Sequence, residues 1–159
     1  MPSGPLSSLP FHVLLTGPPG SGAAARPTTH HPHRAHNLYA YSLGGHRHEA
    51  ELEERLQAWC GPSAPRCSLL THSAPIVRGI HATLRVRLAA PLADPVAALR
   101  NAYRGRPFVH VLDRPPELAA VVGTNHAHLG AAVRDDGREV VVLSVIDNLV
   151  KGAAGQAVQ

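Results

Sequence analysis

His46, Arg47 and His48 place two imidazoles and a guanidinium on consecutive residues, and Glu51 follows one helical turn after His48. Imidazole titrates close to neutrality, so a neighbouring pair can take up and return a proton. A carboxylate three residues on can hold an imidazole's tautomer, which ranks His48 before His46 as a base without excluding either. The competing reading is a solvated, basic helix entrance in a chain that carries twelve histidines. Arg78 precedes an alternating segment. There it either clamps a carboxylate or phosphate with its planar fork or is an ordinary strand-end charge.

The end of the chain holds a second set of candidate groups. Asp147 follows the apolar run 140–146 and suits a helix N-cap, Asn148 offers an amide, and Gly152 with its small neighbours lets a ligand approach the backbone. The bland alternative is a capped helix whose small residues serve tight packing. Near the other end, Gly17-Pro18-Pro19-Gly20-Ser21-Gly22 imitates a phosphate loop. Ala23 and Ala24 stand where such a loop needs Lys and Ser or Thr, and Pro27 forbids the helix that should follow. Gly123-Thr124-Asn125 has the residue types of a turn with positive φ.

These groups need elements to position them, and composition bounds what the elements can be. At 159 residues the chain makes one domain, burying roughly 70% of its unfolded surface, rather than two. Aromatics are 4% of the chain, so the core must be Val, Leu, Ile and Ala. A net charge of +4 on scattered arginines, without aromatics to stack bases, fits a small anionic ligand and excludes a nucleic-acid surface. No apolar run approaches the ~18 residues of a membrane helix, and Met1 to Pro10 lacks the features of a signal peptide. A cytoplasmic protein with no membrane partner is the expectation. Cys60 and Cys67, six residues apart with Pro62 and Pro65 between them, form neither a redox pair nor a zinc pair, and no metal site is expected.

Seven prolines before residue 45 (Pro2, Pro5, Pro10, Pro18, Pro19, Pro27, Pro32) leave room for one short strand, 11–16. Residues 49–59 read as a helix with Leu52, Leu56 and Trp59 on one side, ended by Gly61 and Pro62. Ile80, Ala82, Leu84, Val86 and Leu88 alternate with polar residues and predict a long strand with one wet face. Asp94-Pro95 opens a helix through Tyr103. Residues 109–112 form a short strand, and 126–133 with 139–146 form a hairpin around Asp136-Gly137. The expected class is α+β, a mixed and largely antiparallel sheet with helices on one face.

Gly45-His46-Arg47-His48, Val77-Arg78-Gly79-Ile80, Pro107-Phe108-Val109, Gly123-Thr124-Asn125 and the segment 147–159 together resemble the N-acetyl-gamma-glutamyl-phosphate reductases of the semialdehyde dehydrogenase superfamily. The likeness begins near Gly17. It implies an irregular entry segment over 1–16 and, over 17–159, a glyceraldehyde-3-phosphate-dehydrogenase-like C-terminal domain that binds substrate and dimerises. Measured against that family, the Rossmann half is missing and the closing helix is cut short.

The implied reaction is NADPH-dependent reduction of N-acetyl-glutamyl 5-phosphate to its semialdehyde in arginine biosynthesis. The resemblance assigns His48, His46 and Glu51 to catalysis, Arg47, Arg78 and Ser21 to substrate, and Asn148 and Gly152 to NADP, the cofactor being held mainly by the missing half. It also implies a homo-oligomer formed through the sheet. The family's nucleophile sits in an Asn-Pro-Gly-Cys-Tyr type turn that this chain does not contain, and neither Cys60 nor Cys67 inherits the role. The chain by itself is therefore expected to be inactive. Two alternatives remain at this level: the related lysine-pathway reductase acting on an aminoadipyl phosphate, and a non-enzymatic dimerising remnant.

Overall fold

The computed structural model describes residues 11–21, 24, 26, 27 and 30–159. The expected entry segment lies outside them except for its strand, as do Gly22 and Ala23 of the phosphate-loop imitation.

Seven strands form one sheet: β1 (Phe11–Thr16), β2 (Tyr39–Tyr41), β3 (Ser68–Ser73), β4 (Ile80–Arg87), β5 (Val109–Val111), β6 (Ala127–Arg134) and β7 (Glu139–Ile146). Their order across the sheet is β2-β3-β1-β4-β7-β6-β5. The β1–β3 and β5–β6 pairs are parallel and the other four are antiparallel, which is the mixed, largely antiparallel sheet expected. The period-two segment and the apolar run 140–146 supply its centre, where β4 pairs β7 over eight residues from Ile80↔Ile146 to Arg87↔Glu139. The β6–β7 hairpin turns through Asp135, Asp136 and Gly137, all at positive φ (48°, 54° and 80°), which Asp and Gly tolerate better than most residues. The sequence reading lacks β2 and β3. Three residues are too few to show a period, and Ser68-Leu69-Leu70-Thr71-His72-Ser73 has adjacent leucines.

Registers divide the side chains between two faces. Leu69, His12, Leu84 and Val142 share one face, as do Thr71, Leu14, Ala82, Ser144 and Leu129. Helices α2 (Arg47–Cys60) and α3 (Pro95–Ala102) lie over it, and a groove of about 740 Å³ runs between Leu52 of α2, Leu99 of α3 and these strand residues. Helix α3 starts as the sequence requires, with Asp94 Oδ1 accepting from Ala97 N at 2.8 Å and Pro95 in the first turn. Val13, Leu15, Leu70, Thr83, His81 and Leu143 point to the opposite face.

The loop between β5 and β6 covers one end of that second face. It comes so close that a Cβ on Gly130 would stand 2.9 Å from Pro116 Cδ. Val121 on the loop and Val145 on β7 are both 0% exposed there. Two further short helices, α1 (His31–Arg34) and α4 (Gly155–Val158), flank the carboxyl end of β7 and the entry to β2. No helix among the described residues is long and apolar enough to cross a membrane.

Candidate functional site

Helix α2 starts two residues earlier than its hydrophobic period suggests, because His46 caps it. His46 is extended (φ −102°, ψ 140°) and its Nδ1 accepts from His48 N at 3.3 Å, the task a Ser or Asp side chain usually performs. The cap commits the Nδ1 lone pair of His46 and leaves Nε2–H as the free side of the ring. His48 is held the other way round: its Nε2 accepts from Arg47 Nε at 3.3 Å. The two rings meet edge-on with centroids 4.7 Å apart, and Tyr41 of β2 stands 5.9 Å from His46. His46 titrates below its usual value because of burial first, then the nearby His48 and Arg47, with Glu49 and Glu51 acting in the opposite sense. The lowered pKa keeps His46 neutral at the positive end of the helix.

A cleft of about 860 Å³ opens on this pair. Its walls include Ser21 from the turn after β1, Tyr39 and Tyr41 of β2, the His46-Arg47-His48 run, and Asn148, Gly152 and Ala153 from the segment after β7. Arg26 and Arg34 add two more guanidinium groups, and no carboxylate lines the cleft among the described residues. A wall of three arginines and two histidines without an acid is a setting for an anion.

Asn148 contributes the least satisfied polar group in that wall. Its Oδ1 accepts from Gly79 N at 3.0 Å, which fixes the plane of the amide. Its Nδ2 is then buried without a partner among the described residues, and a Cβ on Gly20 across the cleft would stand 3.7 Å from it. An amide donor held in this way fits an acceptor oxygen on a ligand, since leaving it bare costs about 1–3 kcal/mol. Gly152 lies in the same wall, and a Cβ there would stand 3.4 Å from Asp147 O and from Ile146 Cδ1.

The remaining candidates lie elsewhere. Arg78 does not line the cleft: NH2 of its guanidinium donates to Asp147 Oδ1 at 2.9 Å, and Asp147 is fully buried. That carboxylate also accepts from Gly123 N, Leu149 N and Val150 N at 2.7–2.8 Å. Burial raises the Asp147 pKa, but the N–H groups of Gly123 and Val150, Arg78 and then Leu149 outweigh it and bring it to about 2. Asp147 is therefore the cap the sequence suggests, and it also ties the Gly123 turn to the start of the terminal segment. That segment opens with a π-helical turn at 150–154, Gly152 N bonding to Asp147 O, before α4. Glu51 is exposed and lines the groove between α2 and α3 rather than the cleft, although His48 borders both.

Cys60 is exposed at the end of α2, and Cys67 is buried against Glu49 O with its thiol pushed up by burial. Neither lines the cleft. No group of three or more His, Cys, Asp or Glu among the described residues could hold a metal ion. Sequence reasoning missed Arg26, Arg34, Tyr39 and Tyr41. The two tyrosines carry a weak signal, the apolar-small-apolar pattern of Tyr39-Ala40-Tyr41, but only pairing to β3 makes it a strand.

Comparison with known proteins bears on the family and the fold. A family model described as "Semialdehyde dehydrogenase, dimerisation domain" matches residues 7–148. Proteins named N-acetyl-gamma-glutamyl-phosphate reductase are similar in sequence: 37% identity over 148 residues for that of Wolinella succinogenes, covering 93% of this chain and 43% of the relative. For Acidithiobacillus ferrooxidans the identity is 43% over 150 residues, covering 91% and 42%. The chain thus spans less than half the length of these relatives.

Among solved structures, a probable aspartate-semialdehyde dehydrogenase from Pseudomonas aeruginosa superposes with a TM-score of 0.73 at 19% identity, over 94% of this chain and 52% of that one. Aspartate-semialdehyde dehydrogenase II from Vibrio cholerae gives 0.70 at 16%, over 94% and 52%. At those identities the structures speak for the fold, a semialdehyde-dehydrogenase C-terminal domain without its Rossmann half. From the sequence match over residues 7–148, the chain belongs to the semialdehyde dehydrogenase dimerisation-domain family.

Proposed function

We propose that this chain is the substrate-binding and subunit-associating half of an N-acetyl-gamma-glutamyl-phosphate reductase of arginine biosynthesis, a cytoplasmic enzyme that reduces N-acetyl-glutamyl 5-phosphate to the 5-semialdehyde with NADPH. The observation that carries the reading is the cleft, free of acids among the described residues, that Arg26, Arg34 and Arg47 line together with the His46–His48 pair and the Asn148 amide. The names of the similar reductases support it.

The chemistry divides among the residues by their hydrogen bonds. Arg47, with Ser21 opposite, receives the anionic phosphoryl group of the substrate. His46, whose Nδ1 is committed to the helix cap, can only donate from Nε2, so it polarises the acyl oxygen through an Nε2–H hydrogen bond. His48 keeps its lone pair at Nε2, where Arg47 now donates, and on substrate binding becomes the base that takes the proton of the attacking thiol. That thiol belongs to the nucleotide-binding half of the enzyme, because Cys60 and Cys67 lie away from the cleft. Asn148 Nδ2 fits the carboxamide oxygen of a nicotinamide, with Gly152 beside it, and the bound cofactor would supply the hydride. Arg78 acts through Asp147, holding the turn from which Asn148 projects.

The test combines the chain with a nucleotide-binding half that provides the cysteine and measures NADPH oxidation with N-acetyl-glutamyl phosphate. Activity from the pair, none from either half alone, and loss on His48→Asn is the expected pattern. Turnover by the chain alone that survives Cys60→Ser with Cys67→Ser would refute the assignment.

A further inference from the structure

Glu49 is the third residue of α2, and a glutamate at that position ordinarily folds back onto the N–H of its own N-cap. Here it reaches outward: its Oε1 accepts from Leu69 N at 2.7 Å. Leu69 belongs to β3 and is 2% exposed. Strand β2 pairs with β3 only over Thr71–Ser73, so Leu69 lies past the point where β2 has ended, and the carboxylate takes over its N–H. A buried strand N–H left without an acceptor is costly, so this bond holds firmly.

The other carboxylate oxygen faces the loop that leads into the helix. A Cβ on Gly45, which sits at φ 120°, would stand 3.4 Å from Oε2. On the main-chain side, Cys67 Sγ lies 3.9 Å from Glu49 O. Two hydrogen bonds at one residue thus join the first turn of α2 to the entry to β3, with the preceding loop alongside. His46 and His48 flank that residue, one as the cap and the other on the first turn, and both face the cleft.

We propose that Glu49 is the positioning residue of the His46–His48 pair: by anchoring the first turn of α2 to β3 through Leu69 N, it sets where both imidazoles stand in the cleft. Glu51, the carboxylate that helical spacing singles out, lies over the neighbouring groove. Glu49 also contributes charge, ahead of Glu51 among the groups that oppose the lowering of the His46 pKa. The importance of this role rests on the cleft being the reaction site, but the geometry can be tested without turnover, so failure of one does not imply failure of the other.

The experiment follows the imidazole carbon-proton NMR signals of His46 and His48 in the whole chain, with pH titration and modification by diethyl pyrocarbonate. Glu49→Gln keeps an acceptor for Leu69 N–H, so both rings should remain in place while the His46 midpoint moves lower through loss of the charge. Glu49→Ala should displace both ring signals and raise the modification rate several-fold, whereas Glu51→Gln should leave the ring positions unchanged. Ring signals and reactivity in Glu49→Ala that match the original protein would overturn the proposal, as would Glu51→Gln moving the rings as far as Glu49→Ala. If Glu49→Ala does not fold, Glu49→Gln decides: rings in place with a lowered midpoint support the role, and displaced rings refute it.

Discussion

Arg78 and Asp147 form an ion pair at 2.9 Å in which the carboxylate is fully buried and the guanidinium side chain is 32% exposed. The pair lies behind the cleft and fixes the turn that presents Asn148 to it. Removing one partner of a buried pair strands the other, so Asp147→Ala should lose about 3–5 kcal/mol in urea unfolding. The folded-state pKa of about 2 lies below the ordinary carboxylate value. The stabilisation is therefore fully present above about pH 4 and fades as pH falls towards 2. An acid unfolding midpoint in Asp147→Ala identical to that of the original chain would contradict the pair's role.

Gly79 offers a second check on the same corner. It sits at φ 109°, its N–H binds Asn148 Oδ1, and a Cβ there would stand 2.5 Å from Leu118 Cδ1. Gly79→Ala combines a left-handed strain of about 1–2 kcal/mol with overpacking of about 1–3 kcal/mol. Thermal unfolding should show the loss, and ligand affinity at the Asn148 amide should fall with it. A stability change within 0.5 kcal/mol of zero, the range ordinary for surface sites, would show that Leu118 yields freely.

The histidines also predict how stability depends on pH. Burial lowers the pKa of His12, and burial with the nearby His110, His126 and Arg114 lowers that of His128. A depressed histidine favours the fold while neutral. Its contribution is complete above the unfolded value of 6.5 and is lost as pH falls through the folded value. The melting temperature should therefore drop between pH 7 and pH 5. His128→Asn should flatten that slope, and a slope unchanged by the substitution would assign the effect to other groups.

Catalysis gives the fourth prediction. In the enzyme assembled with its nucleotide-binding half, His48→Asn should lower kcat about 10²–10⁴-fold with little change in KM, as expected for loss of a general base. Arg47→Ala should instead raise KM for the acyl phosphate. The reverse pattern would exchange the two roles.

Association can be tested on the face opposite α2 and α3. Val13, Leu15, Leu70 and Leu143 form an apolar row there, and the family is described as a dimerisation domain. Val13→Arg would bury an unpaired charge in a subunit contact and should shift the protein to monomer in sedimentation analysis. A dimer that tolerates it would move the contact to another surface.

The sequence by itself determined the elements whose signals are local. Alternation over 80–87 can only be strand with two distinct faces, Asp94-Pro95 can only begin a helix economically, and Asp136-Gly137 beside the apolar run 140–146 can only turn a hairpin. It also singled out groups that the fold brings together, since the His46-Arg47-His48 run and Asn148 line one cleft. Tertiary structure decided what depends on neighbours distant in sequence. Strands β2 and β3 exist because each finds a partner edge, which leaves no trace in three or six residues. Arg78 appeared able to clamp a ligand by type and position, yet the fully buried Asp147, 69 residues away, takes its NH2. Helical spacing pointed to Glu51 as the carboxylate serving the histidines, because spacing within a helix is visible in sequence. The contact from Glu49 to Leu69, across 20 residues, is not, since it arises only when the sheet brings an unpaired strand N–H beneath the first turn of α2.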